Sequence, residues 1–201
     1  MIGHQIQEGL HFAEAVRNVF PKTKIVWGGA APTILAHVFI NSSLADIVIK
    51  AQGEKAIVEL AKALESKKSL SNIKGLLYKN RKKIIKTPER EILSKDAFAL
   101  YNYDLIPTER YLKKDEQINS RVLNHVSSQG CPFGCGFCSE VSLYHRHWVA
   151  ESAEKIVREV SILVETYNAN GIKFYDANFF VDKSRVLSFA QRILDKGWKI
   201  K

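Results

Sequence analysis

The chain has 201 residues, 46% of them hydrophobic and 25% charged, with a formal charge of +9. That suffices for one large domain or parts of two, and its composition is that of a globular protein rather than a disordered one. No apolar run is long enough to cross a bilayer, and the first residues lack the basic, apolar and small-residue regions of a secretory signal.

Ile6, Leu10, Ala13 and Val16 recur at helical spacing before Pro21, which predicts an amphipathic helix near 5–19. Lys24 to Trp27 reads as a short strand stopped by Gly28-Gly29, and Asp46 to Lys50 as a second. Ile57, Leu60, Ala61 and Leu64 then mark one face of a helix. Alternating helix and strand predicts a parallel α/β layer. Two strands cannot form that sheet alone, so further strands are expected before Met1.

Gly75 to Tyr78 and Ile84-Ile85 flank Asn80-Arg81-Lys82, a predicted hairpin turn. Most of the positive charge lies here. Residues 66–95 hold ten Lys and Arg against Glu89 and Glu91, a surplus of eight that is nearly the whole excess. Such a cluster can meet phosphate, but lysine guarding a hairpin edge is the commoner cause, and nucleic acid is not the expected partner. From Thr87 to about Asn119 periodicity fades, which predicts a surface linker anchored by Tyr101, Tyr103 and Leu105.

The pattern restarts at Val122–Val126, a predicted strand running into Cys131-Pro-Phe-Gly-Cys135-Gly-Phe-Cys138. Ser152 is a candidate N-cap for a helix burying Ala153, Ile156, Val157, Val160, Leu163, Val164 and Tyr167, ended by Asn170-Gly171. Ile172 to Asp176 is the next strand, Asp182 caps a further helix carrying Val186, Phe189, Ala190 and Ile193, and a strand is expected to begin at Trp198.

All three cysteines fall in that one CxxxCxxC loop. Iron–sulfur clusters are held by thiolates, normally four. Three leave one iron without a protein ligand, and an open position separates a reactive site from a sealed one. Zinc completed by His145 or His147, or three inert thiols, are the other readings. Free thiols point to a reducing compartment, the cytoplasm.

The spacing, following a strand, resembles the radical S-adenosylmethionine (SAM) superfamily. Ile25-Val-Trp-Gly-Gly-Ala-Ala-Pro-Thr33, followed by Asp46-Ile-Val-Ile-Lys-Ala-Gln-Gly-Glu54, looks like the latter part of the cobalamin-binding domain that precedes many radical SAM domains. The resemblance extends over most of 1–185. It implies an α/β chain: a partial Rossmann-like cobalamin domain over 1–73, a basic hairpin and linker over 74–119, and the first β/α units of a TIM-type barrel over 120–201. By the same resemblance, Cys131, Cys135 and Cys138 hold a 4Fe–4S cluster and SAM chelates the open iron. Phe137 lies near the adenine, and Asp176 and Asn178 replace the usual Gly-Gly-Glu beside the SAM amino group. Gly28 and Gly29 let the backbone approach cobalamin.

The implied chemistry is radical methyl transfer or cyclisation at an unreactive carbon of a small molecule, with flavodoxin or ferredoxin as electron donor. The cobalt-ligating D-x-H-x-x-G is absent: His4 has Ile2 and Gln7 where Asp and Gly would stand. His4, His11 and His37 are therefore expected at the surface or in packing. The alternatives are an RNA methylthiotransferase or a non-catalytic zinc or RNA-binding module. A fragment of this extent is expected to be inactive alone.

Overall fold

The computed structural model describes residues 4–81, 83–115 and 120–201, so Lys82 of the predicted turn and the end of the expected linker lie outside it. The chain divides into two units, the first ending at Ile92 and the second running from Leu93 to Lys201.

In the first unit, α1 (His4–Val19) is followed by β1 (Val26–Trp27), the short helices α2 (Ala30–Ile34) and α3 (Ala36–Asn41), and β2 (Ile47–Ile49). Then come α4 (Glu54–Glu65), β3 (Leu76–Asn80) and β4 (Lys83–Lys86). The sheet order is β1-β2-β3-β4. β1 and β2 are parallel, but β2–β3 and β3–β4 are antiparallel, so the layer is mixed rather than all parallel. The hairpin expected between domains instead supplies half of this sheet.

Alternation along β2 and β3 explains the two apolar layers. Val48 and Leu77 point to one face, with Ala13, Trp27, Ala36, Phe39 and Ile40. Ile47, Ile49, Leu76 and Tyr78 point to the other, with Ala56, Leu60 and Ala63 of α4. A strand covered on both sides needs apolar residues at every position, which is why Ile-Val-Ile runs unbroken. The α4 face differs from the expected one by about one residue. Ala56, Leu60 and Ala63 are buried, while Ile57 and Leu64 are exposed. Small side chains bring the helix close to the sheet, and that selects the alanine stripe.

The second unit contains β5 (Lys113–Asp115), β6 (Ser120–His125), β7 (Ser128–Gly130), α5 (Glu140–Tyr144) and β8 (Trp148–Ala150). These lead to α6 (Ala153–Ser161), β9 (Gly171–Phe174) and α7 (Lys183–Lys196). β5-β6-β9 form one sheet, with β6 and β9 parallel, and β7 pairs with β8 antiparallel. β6-α6-β9 is thus a βαβ unit. Ser152 caps α6 by accepting from Lys155 N, and Asp182 caps α7 by accepting from Arg185 N.

The expected α6 stripe is buried from Ala153 to Leu163, and the helix widens into a π-helical turn over Ile162–Thr166. Beyond α7, Lys201 N donates to Asn170 O (3.0 Å) and accepts from Ile172 N through its carbonyl (2.9 Å). These two bonds have the pattern of one parallel bridge beside β9, but no strand forms over 198–201, where one was expected. Of the expected linker anchors, Tyr103 packs with Leu112, Leu123, Leu163 and Tyr167, whereas Leu105 is 80% exposed.

Candidate functional site

The cysteine loop leaves β7 at Gly130, whose φ of +77° is a glycine conformation; a Cβ there would meet His147 O at 2.1 Å. Cys138 N donates to Cys135 O (3.1 Å), tightening the second half of the loop into a turn. Cys135 is exposed, and Cys131 and Cys138 are half-buried. The loop opens outward: a Cβ on Gly136 would meet nothing within 4 Å, and Phe137 is 95% exposed.

Behind the loop stands Arg146. Its guanidinium carbon would lie 3.3 Å from a Cβ on Gly134, and Nε is 3.4 Å from Pro132 O. His145 and Arg146 both hold left-handed backbone, φ 50° and 65°, which is rare outside glycine. Burial raises the Glu140 carboxyl above its ordinary range, opposed by a bond from the Gly130 backbone.

Among the described residues no three His, Cys, Asp or Glu side chains gather closely enough to share a single metal ion. His147 Nδ1 lies 3.0 Å from Tyr144 O. An iron–sulfur cluster asks for a different arrangement, in which separate thiolates go to separate irons. Three accessible thiols on one outward-facing loop fit that demand.

Asp176 follows β9 and does not cap its own turn. It accepts from Ser127 Oγ (2.9 Å), from Ser127 N (3.3 Å) and from Ser128 Oγ, on the connection from β6 to β7. The structure thus joins Asp176 to the segment that begins the cysteine loop. Asn178 is engaged locally, its Oδ1 accepting from Phe180 N (3.1 Å).

Beneath these groups lies a buried polar network that the sequence pattern did not show. His125 Nε2 meets Glu151 Oε2 at 2.8 Å, and the ammonium groups of Lys95 and Lys155 each lie 3.8 Å from Glu151 Oε1. Lys155 Nζ also donates to Lys95 O and Phe98 O, and Lys95 Nζ to Val126 O. Glu159 accepts from Tyr101 N (2.9 Å), and burial raises its carboxyl above the usual range. Arg185 reaches Glu151 O and Ser127 Oγ, and burial lowers its guanidinium from the ordinary value against the pull of Asp176 and Asp182. The only sequence signals were the i,i+4 spacing of Glu151 and Lys155 and the serine pair before the cysteines.

In the first unit, Gly29 (φ 94°) precedes α2 in a conformation that favours glycine. A Cβ on Gly28 would meet only ordinary contacts, Ile49 O at 3.8 Å, so packing within the chain does not demand glycine there. Thr33 Oγ1 donates to Gly29 O (2.7 Å) and accepts from Ala51 N (3.0 Å), joining the loops that follow β1 and β2. His4, His11 and His37 are exposed.

The basic cluster is partly absorbed by the fold. Lys79 Nζ donates to Ser42 O and Ala45 O, Arg90 pairs with Glu59, and Lys74 and Lys86 lie near Glu91 and Glu89. Lys95 is buried in the second unit. Among the described residues no helix is long and apolar enough to cross a membrane.

No protein-family model matches the chain. An uncharacterised methyltransferase of Pyrococcus horikoshii is 30% identical over 190 residues, 94% of this chain and 40% of the relative. The anaerobic magnesium-protoporphyrin IX monomethyl ester cyclase of Synechocystis is 24% identical over 207 residues, 100% of this chain and 40% of the relative. The chain therefore spans about two fifths of the length of these relatives. Among solved structures, the radical SAM methyltransferase TsrM from Kitasatospora setae, with tryptophan and a SAM analogue bound, superposes with a TM-score of 0.75. That match is 16% identical and covers 95% of this chain and 36% of TsrM. The cobalamin-dependent SAM radical enzyme OxsB, with aqua-cobalamin and SAM bound, gives 0.73 at 18% identity, covering 95% of this chain and 27% of OxsB. The fold is that of these cobalamin-dependent enzymes.

Proposed function

We propose that this chain, a homologue of those methyltransferases and cyclases with the fold of the cobalamin-dependent radical SAM enzymes, carries the cofactor-binding machinery of such an enzyme. Cys131, Cys135 and Cys138 hold a 4Fe–4S cluster and leave one iron for the amino and carboxylate groups of SAM. Phe137 lies against the adenine, and Asp176 and Asn178 contact SAM at this rim, with Asp176 accepting from an N–H of the iron-bound amino group. The loops at Gly28 and Gly29 hold cobalamin.

The cluster and SAM supply a radical able to take hydrogen from an unreactive carbon, and cobalamin supplies a methyl carrier. The residues around them position the ligands and exclude water. The outcome is methyl transfer or cyclisation on a small molecule, in a reducing cytoplasm, with a flavodoxin or ferredoxin supplying electrons. Because the chain spans about two fifths of its curated relatives, the 201 residues alone are expected to turn over no substrate.

The observation that carries this reading is the outward-facing loop that bears three free thiols, Cys135 exposed and Cys131 and Cys138 half-buried. Anaerobic reconstitution with iron and sulfide tests it. About four irons per chain are expected, with loss of iron in Cys131→Ala, Cys135→Ala and Cys138→Ala. A colourless chain holding one zinc would contradict it.

A further inference from the structure

Arg185 is 7% exposed, a rare position for an arginine. Asp182 caps the helix turn that carries it, and its guanidinium lies 4.9 Å from the Phe179 ring centre and 5.5 Å from that of Trp148. Nε donates to Glu151 O (3.1 Å) and Nη2 to Ser127 Oγ (2.6 Å). Nη1 is buried without a partner. An arginine held so tightly off the solvent has a positioning part to play.

The hydrogen-bond directions say which. A guanidinium has no acceptor, so at Ser127 Oγ it must be the donor. The single hydroxyl proton of Ser127 is then free to go only to its other neighbour, Asp176 Oδ1, 2.9 Å away. Ser128 Oγ donates to the same oxygen and Ser127 N to Oδ2. A carboxylate offers about four acceptor positions. Three are occupied from the protein side, and the one left over is on Oδ2. Asp176 is half-buried, so that position remains within reach of a ligand.

We propose that Arg185 is a positioning residue: through Ser127 it fixes the rotamer of Asp176 and leaves one lone pair of Oδ2 for an N–H of the bound ligand's amino group. The proposal rests on the reading of Asp176 as the acceptor for the SAM amino group. Arg185 itself touches no ligand. Its part is to prevent Ser127 from turning its proton elsewhere and Asp176 from turning its open oxygen away.

The test uses the anaerobically reconstituted chain and measures SAM affinity by calorimetry, alongside an S-adenosyl analogue lacking the α-amino group. Asp176→Asn is expected to weaken SAM binding about tenfold or more, and Arg185→Met about three- to tenfold, since both loosen a bond to a charged acceptor. Ser127→Ala cuts the same link without disturbing the aromatic slot and is expected to match Arg185→Met. The double variant Asp176→Asn/Arg185→Met should bind no more weakly than Asp176→Asn alone, because two changes acting through one contact do not add. The preference for SAM over the deaminated analogue should shrink in Arg185→Met, whereas a merely structural loss would weaken both ligands alike. Additive losses or an unchanged preference would overturn the proposal while leaving the functional reading in place; normal SAM binding by Asp176→Asn would overturn it together with the role given to Asp176. A cluster in the wild-type chain that does not respond to SAM would overturn that reading, and the proposal with it.

Discussion

The two units bury different chemistry. In the first, the sheet is enclosed by Ile, Val, Leu, Ala and aromatic side chains on both faces. In the second, the interior also takes in Lys95, His125, Glu151, Lys155, Glu159 and Arg185. Apolar packing stabilises without regard to direction. A buried ionic network contributes little net stability, since desolvation offsets the attraction, but it fixes where each group points. The first unit is therefore built for stability and the second for orientation near the cysteine loop.

This contrast can be broken most severely at Glu151. Glu151→Ala leaves two lysines in the interior without their counter-charge, and a loss of about 3–5 kcal/mol is expected. Urea denaturation followed by signals from the second unit reads it, and a loss below about 1 kcal/mol would mean that water already reaches the network. Leu76→Ala empties a fully buried site in the first sheet, and about 2–5 kcal/mol is expected there from lost transfer energy and cavity. Its effect should not depend on pH between 5 and 8, and a clear dependence would count against the apolar account of that unit.

The finer test is Glu159→Gln. Burial raises the folded-state pKa of Glu159 above its unfolded value. The stability linked to its proton is therefore complete at pH below the unfolded pKa and is lost as pH rises through the raised, folded one. The glutamine keeps an acceptor for Tyr101 N and carries no charge. Melting temperatures of wild type and Glu159→Gln should thus diverge as pH rises from the ordinary carboxyl range, with the variant the more stable at the upper end. Parallel curves would show that Glu159 ionises as readily folded as unfolded.

What the sequence disclosed followed from local rules. The caps at Ser152 and Asp182, the α6 stripe and β6 are set by neighbours within a few residues, but the strand expected to run into the cysteines ends at His125, and β7, paired with β8, comes between them. The misses came where distant partners decide. The α4 face was ambiguous because Ile57 and Val58 compete with Ala56 and Ala63, and only the closeness of the sheet chooses. Lys95 sits in a stretch without periodicity, and its burial depends on Glu151 and Val126. Asp176 was legible as a polar residue at a strand end. Its bonds to Ser127 and Ser128, 49 and 48 positions away, were not.

The central claim is that three cysteines hold a cluster with one iron open to SAM. Electron paramagnetic resonance of the reduced, reconstituted chain, recorded with and without SAM, tests it most directly. A cluster signal that shifts when SAM is added and disappears in Cys135→Ala is expected. A signal indifferent to SAM, or one that survives Cys135→Ala, would contradict it.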